Sequence, residues 1–149
     1  MIKTIYHGSE KIVEKPLYGF GKPYNDYGLG FYCTEVLDMA KEWGVSQERD
    51  GFANIYQIDT EGLSILNLNN TEYTILHWIT VLLENRFFDT ITPLANEAKE
   101  YLLNNFTVPY KEYDILTGYR ADDSYFSYAQ DFINGAISVR QLGNAMKLG

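Results

Sequence analysis

Apolar and polar positions change period several times along this chain, and the changes mark out its elements. Ile2 to Tyr6 mixes β-branched and aromatic residues and stops at His7-Gly8-Ser9, which predicts a short strand running into a loop. Residues 15 to 30 hold Pro16, Gly19, Gly21, Pro23, Asn25, Asp26, Gly28 and Gly30, a density of breakers that predicts a shaped loop. Phe31 to Thr34 predicts a second short strand. Thr34 is placed to cap a helix with Val36, Leu37, Ala40 and Trp43 on its inner face and Glu35, Asp38, Lys41 and Glu42 outside.

Ala53 to Asp59 alternates as a strand does, and Leu63 to Leu68 reads as another. Asn69-Asn70-Thr71 then starts a strongly apolar helix whose buried stripe is Ile75, Trp78, Ile79, Leu82 and Leu83. Pro93 opens a helix running to about Asn105. Asp114 to Thr117 is a compact strand closed by Gly118. Two last helices run from Ser124 to Ile133 and from Ser138 to Leu148, the second capped by Ser138. No repeat, low-complexity tract or linker interrupts the series. The pattern is an α+β domain with short strands.

Composition narrows the classes. The 149 residues are one domain's worth, and 46% hydrophobic against 21% charged is an ordinary globular balance. Aromatics reach 15%, with 13 tyrosines, which suits a pocket for flat rings as well as an amphipathic surface. A net charge of −8 repels nucleic-acid phosphates and anionic lipids, so coating either is disfavoured. The single cysteine, Cys33, has no partner for an internal disulfide, and the N-terminus lacks an apolar leader; both point to the reducing cytosol. No apolar run reaches the ~20 residues a membrane span needs. Two histidines and one cysteine offer no metal-ligand cluster, so no metal is expected.

Two segments carry candidate chemistry. Tyr6-His7-Gly8-Ser9 puts an imidazole at the end of a strand, beside a residue whose backbone a planar amide can approach. Asp26-Tyr27-Gly28-Leu29-Gly30-Phe31-Tyr32-Cys33-Thr34 bends sharply just before an aromatic pair, where a tyrosine could stack on a nicotinamide-sized ring. An ordinary turn histidine and a glycine hairpin explain each segment alone. The glycines are not a dinucleotide fingerprint, because the third is missing and the strand follows them. Arg86, near the end of an apolar helix, could meet a pyrophosphate through its fork of donors, or sit as a surface arginine. Asp122-Asp123 after Arg120 reads mainly as a helix start. His77 reads as structural, and Cys33 lacks the paired base that would activate it.

As an ordered whole, the Tyr-His-Gly-Ser strand, the breaker-rich loop, Gly-x-Gly-Phe-Tyr-x-Thr and a helix with Ala40 and Trp43 resemble one group. The resemblance runs on through Trp78, Asn85-Arg86, Tyr113 to Gly118 and Ala121-Asp122-Asp123. The chain looks like a bacterial family of unknown function placed in the ADP-ribosyltransferase superfamily. That resemblance implies an ADP-ribosyltransferase-like α+β fold, a short-stranded split sheet with flanking helices. It also implies the histidine-tyrosine-glutamate site of diphtheria-toxin-like and poly-ADP-ribose-polymerase-like enzymes.

His7 and Tyr32 would be the catalytic pair under that resemblance. His7, Gly8, Ser9, Gly30, Phe31, Tyr32, Thr34 and Arg86 would line the NAD⁺ site. His7 would bond the adenosine-side ribose, Gly8 the nicotinamide carboxamide, and Tyr32 would stack on the nicotinamide. The implied function is transfer of ADP-ribose from NAD⁺ to a macromolecular acceptor, as the toxin of a pair with a small antitoxin protein. NAD⁺ hydrolysis and a non-catalytic NAD⁺ or nucleotide-binding module are the alternatives. The family pattern continues into a strand bearing a glutamate or glutamine, and Lys147-Leu148-Gly149 stands where that strand should begin. The expectation is therefore a C-terminally truncated domain lacking its third catalytic group, with Gln130 and Asp131 poor substitutes.

Overall fold

The computed structural model describes residues 1–16, 25–45, 49–90, 92–119 and 123–146. Among these residues it is α+β, with five α-helices, a 3-10 turn and two two-stranded sheets. The chain divides into two compact units, Met1–Gly21 with Gly30–Leu63, and Lys22–Leu29 with Ser64–Gly149.

The first unit is built on an antiparallel pair, β1 (Ile2–Ser9) and β2 (Phe52–Asp59), in a register that sets His7 opposite Asn54 and Ser9 opposite Phe52. β1 thus runs three residues further than its apolar pattern predicts. Gly8 and Ser9 find strand partners in Ala53 and Phe52, and such pairing overrides a weak local propensity. Helix α1 (Leu37–Gly44) lies against both strands. Three glycines make that approach possible. A β-carbon on Gly8 would lie 2.1 Å from the carbonyl oxygen of Ala40, and one on Gly51 would lie 1.6 Å from that of Gly44. At Gly44 the intruding atom would meet the Phe52 oxygen at 2.7 Å.

Segment 31–34 is a strand only in part. It bridges β1 at a single pair, Tyr6 with Thr34, through N–H···O bonds of 2.8 and 2.9 Å. Thr34 does not cap α1 either. The cap position is Val36, and the Thr34 hydroxyl accepts the Val36 N–H at 3.1 Å, a local turn ahead of the helix.

The second unit is packed around α2 (Ile75–Asn85), in which all six residues from Trp78 to Leu83 are buried. A helix this apolar on every side belongs inside. Its one buried hydroxyl, on Thr80, donates to the Leu76 carbonyl at 2.7 Å, so burial leaves it satisfied. α2 starts later than the Asn69-Asn70-Thr71 cluster predicts, because those residues form turns closed on Asn67. Thr74 caps the helix instead, and His77 Nδ1 accepts the Thr74 N–H at 2.9 Å in a reciprocal box.

Around α2 lie α3 (Pro93–Asn105), α4 (Asp123–Ile133) and α5 (Val139–Met146), contributing Ala95, Leu102, Ala129, Ile133, Leu142 and Met146 to one core. Pro93 and Ser138 mark their helix starts as the sequence predicts, with Ser138 and Gln141 bonding each other's backbone N–H. A short parallel pair, β3 (Ile65–Asn67) and β4 (Ile115–Thr117), completes this unit.

Candidate functional site

The end of β1 in the first unit gathers most of the residues singled out in the sequence. Alternation along an antiparallel strand sends the backbone N–H and C=O of every second residue to the same side. Tyr6 spends its pair on Thr34, so the pair of Gly8 points to that side too, toward Tyr32. A continued ladder would join Gly8 to Tyr32. The bridge is instead isolated at Tyr6, and the described residues hold no bond between the Gly8 and Tyr32 backbones.

Where the ladder stops, the His7 side chain reaches the Tyr32 carbonyl. Its Nδ1 lies 2.6 Å from the carbonyl oxygen of Tyr32. A carbonyl oxygen only accepts, so Nδ1 carries the proton, and in the neutral ring Nε2 presents a lone pair. The ring is fixed from a second direction by Phe31, stacked on it at 4.2 Å between centroids and 28° between planes. Tyr56 meets Phe31 edge-on at 5.8 Å. Phe31 therefore covers the imidazole, and the half-buried Tyr32 gives it a hydrogen-bond acceptor.

Ser9 follows two positions after His7, on the same face of β1. Its hydroxyl donates to the Lys11 carbonyl at 2.5 Å and accepts from Asn54 Nδ2 at 2.8 Å. Asn54 is buried, unusual for a polar residue in mid-strand, and all its amide groups are engaged. Nδ2 also donates to the His7 carbonyl at 2.9 Å, and Oδ1 accepts the Val13 N–H at 2.8 Å. Tyr56 bonds the Val13 carbonyl from the other side. Segment 12–14 so pinned borders a hollow of about 550 Å³, lined also by Phe52, Ile55 and Tyr56.

Along its whole length apart from two residues, positions 3–149, the chain matches the family described as Protein of unknown function (DUF3990). The chain belongs to that family. No curated protein and no solved structure matches it. The family description names no activity, so the chemistry rests on what these side chains can do.

Gly30 and Thr34 share the first unit with His7, Gly8, Ser9, Phe31 and Tyr32. Gly30 has no described atom within 4 Å of where a β-carbon would stand. Cys33 is a poor nucleophile, because burial pushes its thiol up to about 11.

Arg86 belongs to the second unit and has its own partners there. Its Nη1 donates to Asp26 Oδ1 at 2.6 Å, and its guanidinium carbon lies 3.8 Å over the Phe126 ring. Asp26 is 1% exposed, so this is a buried ion pair. Tyr27 donates to the Tyr119 carbonyl at 2.5 Å, and Gly28, at φ 79°, turns the chain against Asn85. Arg120 and Asp122 lie outside the described residues, as do Lys147, Leu148 and Gly149.

Asn54 is the site residue that the sequence pattern passed over. One signal was present: asparagine is depleted in strands, so one in the middle of Phe52–Asp59 marks a position with special duties. No helix among the described residues is long and apolar enough to cross a membrane, and none of their acidic, histidine and cysteine side chains cluster as a metal site.

Proposed function

We propose that the His7 end of β1 binds NAD⁺ and that the protein transfers ADP-ribose from it to a macromolecular acceptor. The observation that carries this reading is the interrupted ladder at Gly8. An N–H and C=O left without a ladder partner on one extended residue are complementary to a primary carboxamide, which offers one acceptor and one donor along a single edge. The nicotinamide group of NAD⁺ is such an amide on a flat ring. Beside it stands an imidazole held in one tautomer by the Tyr32 carbonyl, and in this reading the Tyr32 ring stacks on the nicotinamide.

His7 Nε2 and the remaining Ser9 lone pair both accept, which suits the hydroxyls of a ribose. The Nδ1 bond to Tyr32 leaves the neutral His7 ring an acceptor at Nε2. In the reaction, the bond between nicotinamide nitrogen and ribose carbon breaks, and nicotinamide leaves as a neutral molecule with the bonding pair. The acceptor's nucleophilic atom bonds to that carbon and gives its proton to solvent or a base. Holding the two halves of NAD⁺ in a bent, fixed pose is the main contribution such a site makes. Arg86, whose guanidinium is engaged by Asp26 and Phe126, is not drawn on in this reading of the edge.

The resemblance to the ADP-ribosyltransferase superfamily supports the same assignment. It brings with it a cytosolic setting and a small antitoxin protein as partner. Incubation of the protein with NAD⁺ labelled in its adenylate half, with and without cell lysate, tests the proposal. NAD⁺ binding with little turnover is expected of residues 1–149, and label on a macromolecule once a third catalytic group is supplied. Free ADP-ribose alone would make the protein a hydrolase, and absence of both products together with absence of NAD⁺ binding would overturn the reading.

A further inference from the structure

We infer that Asn54 is a positioning residue for this site, acting through the Ser9 hydroxyl; the inference rests on the NAD⁺ reading above. Proton directions around the Asn54 amide fix its role. The Val13 N–H can only donate, so the oxygen of the Asn54 amide faces it and the nitrogen faces β1. That nitrogen has two protons, and both are spent, one on the His7 carbonyl at 2.9 Å and one on the Ser9 oxygen at 2.8 Å.

Ser9 therefore cannot point its own proton at Asn54, and the Lys11 carbonyl takes it at 2.5 Å. A hydroxyl has one proton and two lone pairs. With the proton on Lys11 and one lone pair on Asn54, Ser9 can offer a ligand only its second lone pair. Asn54 thus makes Ser9 an acceptor, matched to a sugar that donates through free hydroxyls. A phosphate ester in place of such a hydroxyl has no proton to give there. Asn54 touches no substrate atom in this scheme. It sets what Ser9 can read, and its bond to Val13 holds segment 12–14 beside the strand.

A double-mutant cycle read by NAD⁺ affinity tests this. Ser9→Ala and Asn54→Ala should each weaken binding about tenfold, and the double variant no more than about twice as much as the weaker-binding single. Once the hydroxyl is gone, Asn54 has nothing left to orient. Losses that multiply to about a hundredfold would show that Asn54 serves the fold alone, and would overturn the inference. Where Asn54→Ala fails to fold, Asn54→Asp carries the cycle: it keeps the acceptor for Val13 and removes both donors. Absence of NAD⁺ binding by the unaltered protein would sink the functional reading, and this inference with it. Binding by that protein with a multiplicative cycle would sink this inference only.

Discussion

His7 and Tyr32, 25 positions apart in sequence, are joined by a 2.6 Å hydrogen bond from imidazole Nδ1 to backbone carbonyl. The bond does two things at once. It selects the tautomer of His7, and it engages the carbonyl that stands next in line after the Tyr6–Thr34 bridge. The aromatic segment is thereby held to β1 by a side chain where a strand ladder would have closed the gap.

Gly8 and Gly30 should respond oppositely to a methyl group. Gly8→Ala drives a β-carbon into the backbone of Ala40 and Gly44 and the Cβ of Trp43, none of which can move without shifting α1. A loss of about 3 kcal/mol is expected, at the upper end of overpacking costs. Gly30→Ala meets no described atom, and stability within about 0.5 kcal/mol of the parent is expected. Urea unfolding of the two variants checks the pair; equal stability of both would refute the account of the α1 approach.

Removing Arg86 should cost more than neutralising Asp26. Arg86→Met leaves an almost fully buried carboxylate without its cation, and loss of one partner of such a pair costs about 3–5 kcal/mol. Asp26→Asn keeps a hydrogen-bonding group of the same shape and leaves a guanidinium that still lies over Phe126 and reaches solvent. Thermal melts at pH 7 should rank Arg86→Met below Asp26→Asn, and the reverse order would contradict the pairing.

Alkaline pH should destabilise the first unit through Cys33. Desolvation raises its thiol to about 11, against 9.0 for an exposed thiol. Between those values the unfolded chain has released its proton while the folded chain still holds it. Stability is therefore complete below pH 9 and falls as pH climbs toward 11. Desolvation, and then the neighbouring Cys33 charge, also raise Tyr56, which acts in the same direction. Cys33→Ala should flatten the decline, as measured by urea midpoints from pH 8 to pH 11, and an unchanged slope would exclude Cys33 as a cause. Thiol alkylation of the folded protein at pH 8 should be correspondingly slow.

The parts of the fold legible in the sequence are those specified by neighbours in the chain. Pro93 at a helix start, Ser138 with Gln141, and the all-apolar run from Trp78 to Leu83 carry their own instructions. The parts that were not legible depend on distant partners. β1 continues through Gly8 and Ser9 only because Ala53 and Phe52 are there to pair with them, and Gly8 is needed because Ala40 crosses above it. The α2 cap is an intermediate case, since Thr74 and His77 are local but a histidine at the third helical position is a rare form of the capping box. The candidate site divides the same way. His7, Gly8 and Tyr32 stand out as residues, whereas the bond between His7 and Tyr32, and the whole role of Asn54, exist only across the sheet.

Tyr32→Ala should leave the fold intact and weaken NAD⁺ binding several-fold, the loss of one stacking contact worth about 1 kcal/mol. Calorimetric titration beside a melting curve separates the two effects. A collapse in melting temperature with unchanged affinity in the folded fraction would make Tyr32 a core residue.

The central claim is that the His7 edge recognises NAD⁺, and titration of NAD⁺ into the unaltered protein and His7→Ala tests it most directly. With folding of both confirmed by circular dichroism, saturable binding to the unaltered protein is expected, with at least a tenfold loss in His7→Ala, since the change removes the ribose acceptor and releases the Tyr32 carbonyl. Equal affinity in the two proteins, or no binding to either, would contradict it.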